Sequence, residues 1–160
     1  MIYSVFPGLG KSYTSRVTMA GKAIDAESSK FQWLDYDSHN EEKNKGKLKN
    51  KNPEWPKNYI DFIKSQYNEN TIVFISAQPE ILNALGEQNI PFKTITPDAS
   101  TKDQIMARYE SRGNNKDFIN MMSSNFEKFI TSMDTNAYAS DHLKLKENHR
   151  LADLLIIDTL

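Results

Sequence analysis

Two rhythms of apolar positions run along this chain. Ile2-Tyr3-Ser4-Val5-Phe6 and Thr71-Ile72-Val73-Phe74-Ile75 are apolar runs of strand length, and the second is continuous enough for a strand buried on both faces. Helical spacing recurs between and after them. It falls over 57–67 (Tyr59, Ile60, Phe62, Ile63, Tyr67), 80–88 (Ile81, Leu82, Leu85) and 101–112 (Ile105, Met106, Tyr109). A longer amphipathic pattern over 116–134 (Phe118, Met122, Phe126, Ile130, Met133) predicts one helix whose Met and Phe stripe is core. Shorter elements complete the series: a helix over 11–21 stopped by Gly21, a strand over 22–29, and a strand over 90–96 cut off by Pro97. An edge strand over 143–146 and a helix over 151–157 follow. Strands alternating with helices at this pace predict right-handed crossovers and a three-layer α/β/α domain with a mostly parallel central sheet.

Residues 41–52 break both rhythms. They are rich in Lys and Asn and nearly free of apolar side chains, so a polar insert over about 39–56 is expected within a single domain spanning 1–160. Its lysines would attract an anionic substrate or, more ordinarily, stay solvated. The net charge is −1 with 26% charged residues, so no global field points to a nucleic-acid or membrane partner. The absence of cysteine excludes disulfides and thiolate metal sites, and no apolar run reaches the roughly 18 residues of a membrane span. Together with an N-terminus unlike a signal peptide, this leads to the expectation of a cytoplasmic protein.

Candidate chemistry begins where the first strand ends. Pro7-Gly8-Leu9-Gly10-Lys11-Ser12-Tyr13 joins an apolar strand to a helix start, the layout of a phosphate-binding loop. Backbone N–H groups freed by the glycines would surround phosphate oxygens, Lys11 would reach the β- and γ-phosphates, and the Ser12 hydroxyl would ligate Mg²⁺. The full G-x-x-x-x-G-K-[ST] pattern asks for glycine at position 5, where this chain has Val5, so the loop is a shortened form. Asp25 and Glu27 lie two apart at the end of the second predicted strand, able to face one site beside that loop. A second acidic cluster, Asp35-Tyr36-Asp37, follows Trp33-Leu34 and competes for the same role. Trp55 is a candidate for stacking on a base, with a packing role at least as well founded. No Walker-B aspartate follows the strand that ends near Ser76, and His39, His142 and His149 are too scattered to bind metal.

Gly8-x-Gly10-Lys11-Ser12 followed by Asp25-Ala26-Glu27 resembles the small-molecule kinases of the phosphate-loop superfamily, such as shikimate and gluconate kinases, and nucleoside monophosphate kinases. The resemblance implies the P-loop NTPase fold and the use of ATP with Mg²⁺. In that family one acid of the pair supports the metal shell, here Asp25, and the other grips the acceptor, here Glu27, with Ser28 beside it. Arg108 and Arg112, four apart before Gly113, match the family's lid, over about 108–118 in this chain. One arginine there packs on the adenine and another neutralises the transferring phosphoryl group. Phe-Pro-Gly-x-Gly-Lys-Ser, Asp-x-Glu-Ser-Ser, Asn-Pro-x-x-Pro-x-Asn-Tyr-Ile and Arg-Tyr-x-x-Arg-Gly-Asn are also similar to phosphate-loop kinase-like proteins of phages and their hosts. The expected activity is transfer of the γ-phosphoryl group of ATP to a small acceptor, foremost a (deoxy)nucleoside monophosphate. The alternatives are another hydroxyl acceptor (a nucleoside, or a modified base in DNA) and a nucleotide-binding protein without turnover. Asp35, Asp37 and Trp55 stand as further candidate substrate contacts.

Overall fold

The computed structural model describes residues 1–45 and 47–160. Residue 46, inside the predicted polar insert, lies outside the described residues. Five strands, β1 (Ile2–Val5), β2 (Ala23–Asp25), β3 (Ile72–Ile75), β4 (Lys93–Pro97) and β5 (Asp141–Leu145), form one sheet in the order β2-β3-β1-β4-β5. Every pairing is parallel. The polypeptide leaves β1 for the β2 edge and later returns across β1 to β4. This reversal of direction leaves a crevice at the carboxyl end of β1, where open α/β sheets bind ligands.

Strand alternation divides the core in two. Ile2, Val73 and Ile75 meet Ile60 and Ile63 of α4 (Lys57–Gln66) and Ile81, Leu82 and Leu85 of α5 (Pro79–Glu87). On the other face Tyr3, Val5, Phe74 and Ile95 pack with four helices: α6 (Lys102–Ser111), α7 (Lys116–Ser124), α8 (Phe126–Asp134) and α9 (Leu151–Asp158). Because both faces are covered, β1 and β3 are buried along their whole length; β3 is apolar throughout, and the one polar residue of β1, Ser4, donates its hydroxyl to Ser76 C=O at 3.0 Å. This is the three-layer α/β/α arrangement that the pattern predicted.

Local departures have local causes. The single helix expected over 116–134 breaks at Asn125 (φ −116°, ψ 13°), whose side-chain amide donates to the Met121 carbonyl at 2.8 Å and takes up a carbonyl at the end of α7. The helix expected over 11–21 is a short α1 (Lys11–Tyr13) passing into a π-helical turn, Thr14–Thr18, with Met19 N–H bonded to Thr14 C=O at 2.8 Å. The strand expected over 22–29 stops at Asp25, and the chain turns into α2 (Ser29–Gln32). Trp33-Leu34 is no strand of the sheet; Trp33 makes an isolated antiparallel bridge to Lys51. Within the polar segment, α3 (Glu41–Asn44) is capped by the Asn40 side chain.

Candidate active site

The strand-to-helix turn after β1 is built to present N–H groups. β1 is wholly buried, and its last tie is Phe6 N–H to Ile95 C=O at 2.9 Å. Gly8 and Gly10 then both take φ +91°, a left-handed backbone that side chains disfavour. Among the described residues none of the backbone N–H groups from Gly8 to Tyr13 finds a partner. Six donors in a row at the start of a helix form a cradle for an anion. Lys11 flanks it, half-buried and outside every ion pair formed by the described residues. Val5, where the full motif has glycine, is buried inside β1 and pairs with Ile95. The turn is therefore short because the strand runs on through that position.

The first acid pair flanks this turn. Asp25 ends β2, and its Oδ2 accepts the Ser12 hydroxyl at 2.8 Å, so the strand end and the loop share one site. Glu27 accepts the Ser29 N–H through Oε1 at 3.1 Å, while Ser28 sits at the N-cap of α2 without a side-chain capping bond. The buried Tyr59 hydroxyl donates to Ala26 C=O at 2.6 Å and accepts Ser76 N–H at 3.2 Å, locking the ends of β2 and β3 together. Burial raises the Tyr59 phenol far above its ordinary value, so it stays protonated.

The second acidic cluster has different work. Asp35 accepts the N–H groups of Lys49 at 3.0 Å and Asn50 at 3.2 Å, and these bonds, the first above all, lower its carboxyl pKa. Asp37 accepts His39 N–H at 2.9 Å. These acids tie the polar segment back onto residues 33–37. Between the two clusters lies Tyr36. Burial, and after it the negative charge of Glu27, Glu41, Asp25 and Asp37, push its phenol up. Trp55 is placed in the core, 7% exposed, stacked on Tyr59 at 5.4 Å and donating its indole N–H to Glu80 Oε1 at 3.0 Å. That position serves packing rather than base stacking.

The first residues of the segment expected to form a lid reach the loop. Arg108 Nη1 donates to Gly8 C=O at 3.1 Å, and the next residue, Tyr109, donates its hydroxyl to Pro7 C=O at 2.6 Å. Arg112 is the C-cap residue of α6, and its carbonyl accepts Lys45 Nζ from the polar segment. A cleft of about 550 Å³ opens between loop, α6 and the start of α9. Arg16, Arg108, Arg112, His149 and Arg150 line it, and among the described residues no carboxylate does. Arg16 and Arg150 escaped the sequence reading, Tyr109 was read there only as an inward position of its helix, and His149 was given no role. A lone arginine or an inward tyrosine carries no sequence signal; the fold alone brings 149–150 opposite 108–112.

The chemistry of the donors suits Mg²⁺. The Ser12 hydroxyl and Asp25 carboxylate are hard oxygens 2.8 Å apart. Among the described residues no group of three or more His, Asp or Glu could hold a metal without help. Two protein oxygens completed by phosphate oxygens and water is the usual way Mg²⁺ is held at nucleotide sites.

Comparison with known proteins agrees at the level of the fold. A gluconokinase from Sinorhizobium meliloti 1021 superposes with a TM-score of 0.52 over 97% of this chain and 86% of its own, at 15% sequence identity. The chain thus shares the α/β/α architecture of that structure, and at that identity the likeness speaks for the fold alone. No protein-family model and no curated protein sequence matches the chain. Among the described residues no helix is long and apolar enough to cross a membrane.

Proposed function

We propose that this protein is an ATP-dependent phosphotransferase that moves the γ-phosphoryl group of ATP to a hydroxyl group of a small acceptor. The observation that carries this reading is the Ser12–Asp25 hydrogen bond at 2.8 Å, which joins an anion cradle to a carboxylate at the end of the edge strand β2. Phosphoryl transfer needs positioning and charge neutralisation more than covalent help. The N–H groups of residues 8–13 and the Lys11 ammonium hold the phosphates. Ser12 and Asp25 would hold Mg²⁺, which when bound would supply charge neutralisation for the phosphates. Glu27, steadied through one oxygen by Ser29 N–H, orients the acceptor hydroxyl and takes its proton. Arg112, with Arg108, supplies permanent positive charge to the transferring group as the 108–118 segment acts as a lid. Where ATP is the donor, the cytoplasm is the natural place of action.

A hydroxyl acceptor is favoured over the nucleoside monophosphate expected from the sequence because the acceptor side carries the carboxylates. A phosphate acceptor needs little base and gains nothing from Asp25, Glu27, Asp37 and Glu41 around Tyr36. The monophosphate reading is the second one, supported by Lys45 and Arg112, whose contact brings two cations to the mouth of the cleft. The test is ATP consumption with Mg²⁺ against nucleosides, monophosphates, sugars and short DNA. Turnover with an unphosphorylated hydroxyl compound supports the first reading and turnover with a monophosphate the second. Tight ATP binding with no turnover in any mixture leaves a nucleotide-binding protein and removes both.

A further inference from the structure

The same turn carries an arrangement that the kinase reading does not require. The ring of Tyr109, 1% exposed, lies so close over Gly8 that a Cβ there would meet its Cε1 at 2.7 Å. Its hydroxyl donates to Pro7 C=O at 2.6 Å, and the preceding Arg108 donates to Gly8 C=O at 3.1 Å. The peptides between residues 7 and 9 are trans, since Trp55-Pro56 holds the cis bond of the described chain. In a trans peptide the C=O and the following N–H point in opposite directions within one plane. Gripping Pro7 C=O therefore aims Gly8 N–H away from α6, and gripping Gly8 C=O does the same for Leu9 N–H. These are the first two unpaired donors of the cradle.

We propose that Tyr109 is a positioning residue for anion binding: through the Pro7 carbonyl it aims the Gly8 N–H at a phosphate oxygen, with Arg108 doing the same for Leu9. This device replaces the geometry that a longer glycine-led loop would supply, because Val5 belongs to the strand and the loop has fewer residues with which to shape itself. It also links the two ends of the site, since α6 carries both the grip on the loop and Arg112. Phe118 of α7 packs edge-on against the Tyr109 ring at 5.2 Å and fixes it from behind. The inference deepens the reading of this site as a donor-phosphate site but is tested by anion binding and not by turnover.

The experiment titrates inorganic pyrophosphate, Mg·ATP and adenosine into the wild type and into Tyr109→Phe, which keeps the ring and loses the hydroxyl. Pyrophosphate and ATP affinities are expected to fall about ten-fold while adenosine affinity stays unchanged, since one misaimed donor loses one charge-assisted hydrogen bond. Phe118→Leu, on the half-buried side of α7, leaves the hydroxyl in place and loosens the ring. It should give a smaller fall in the same two affinities, and it keeps the test open if Tyr109→Phe folds poorly. Unchanged pyrophosphate affinity in both variants overturns the proposal, as does an equal fall for adenosine. A wild type that binds pyrophosphate through Tyr109 yet transfers no phosphoryl group overturns the kinase reading and leaves this one standing.

Discussion

The two sides of the central crevice are built from different material. On one side, the 550 Å³ cleft is walled by β1's turn, the ten-residue helix α6 and the start of α9, and its charged lining is cationic. On the other, from Asp25 outward, the wall is loop with two four-residue helices, α2 and α3, and the negative charges of Asp25, Glu27, Asp37 and Glu41 act on Tyr36. The first side rests on the sheet and cannot change without disturbing the core. The second can be rebuilt by altering residues 33–52 with the sheet intact. The difference fits a division of labour in which a constant, anionic donor is read by framework and a variable acceptor by loops.

The sharpest way to break this comparison is at Lys11. Lys11→Ala should cost at least about 10²-fold in turnover and weaken ATP binding, as measured by steady-state kinetics and titration calorimetry. Unchanged ATP affinity would mean that the cationic side is not the donor side. Next comes the acid pair. Asp25→Asn should lower kcat by about 10²-fold and raise the Mg²⁺ concentration needed, whereas Glu27→Gln should act mainly on acceptor-dependent turnover. If both variants keep full activity while Asp35→Asn loses it, the acceptor carboxylates have been assigned to the wrong cluster.

Smaller effects separate the two walls by stability. Tyr59→Phe strands Ala26 C=O and Ser76 N–H at the joint between β2 and β3, a loss of about 1–3 kcal/mol readable in urea unfolding. The smallest effect is acid-dependent. The Asp35 carboxyl pKa is lowered in the folded state, chiefly by Lys49 N–H, so its hold on that amide is complete above the ordinary carboxylate value and is lost as pH falls through the lowered one. Amide exchange at Lys49 and Asn50, compared with Asp35→Asn across mildly acidic pH, should show the polar segment loosening before the sheet does. Exchange at Asn50 unaffected by Asp35→Asn would end that account.

Legibility along the chain follows the range of the forces involved. Pro7-Gly8-x-Gly10-Lys11-Ser12 could be read as a turn because its residue types are local signals, two glycines that take φ +91° and a helix start, although the aim of its first donors depends on Tyr109 and Arg108. β3 could be read because its four residues, buried on both faces, are all apolar. Asn125 could not, since an amphipathic stripe continues across 116–134 and hides a break made by one side-chain amide. Nor could the choice between Asp25/Glu27 and Asp35/Asp37. Both pairs end short apolar stretches, and they differ in whether Ser12 or Lys49 N–H is the partner.

What the sequence determined by itself is the set of elements and the turn chemistry: apolar runs long enough for buried strands, stripes for helices, and a glycine-lysine-serine corner between the first strand and helix. These rest on backbone preference and periodicity, which act within a few residues. The tertiary structure alone decided the meetings. It placed β1 between β3 and β4, set Asp25 against Ser12, laid Tyr109 and Arg108 on the loop carbonyls 102 and 100 residues away, and turned Trp55 into the core. Such contacts come from packing two helical layers on one twisted sheet, and no local pattern encodes which residues that packing brings face to face.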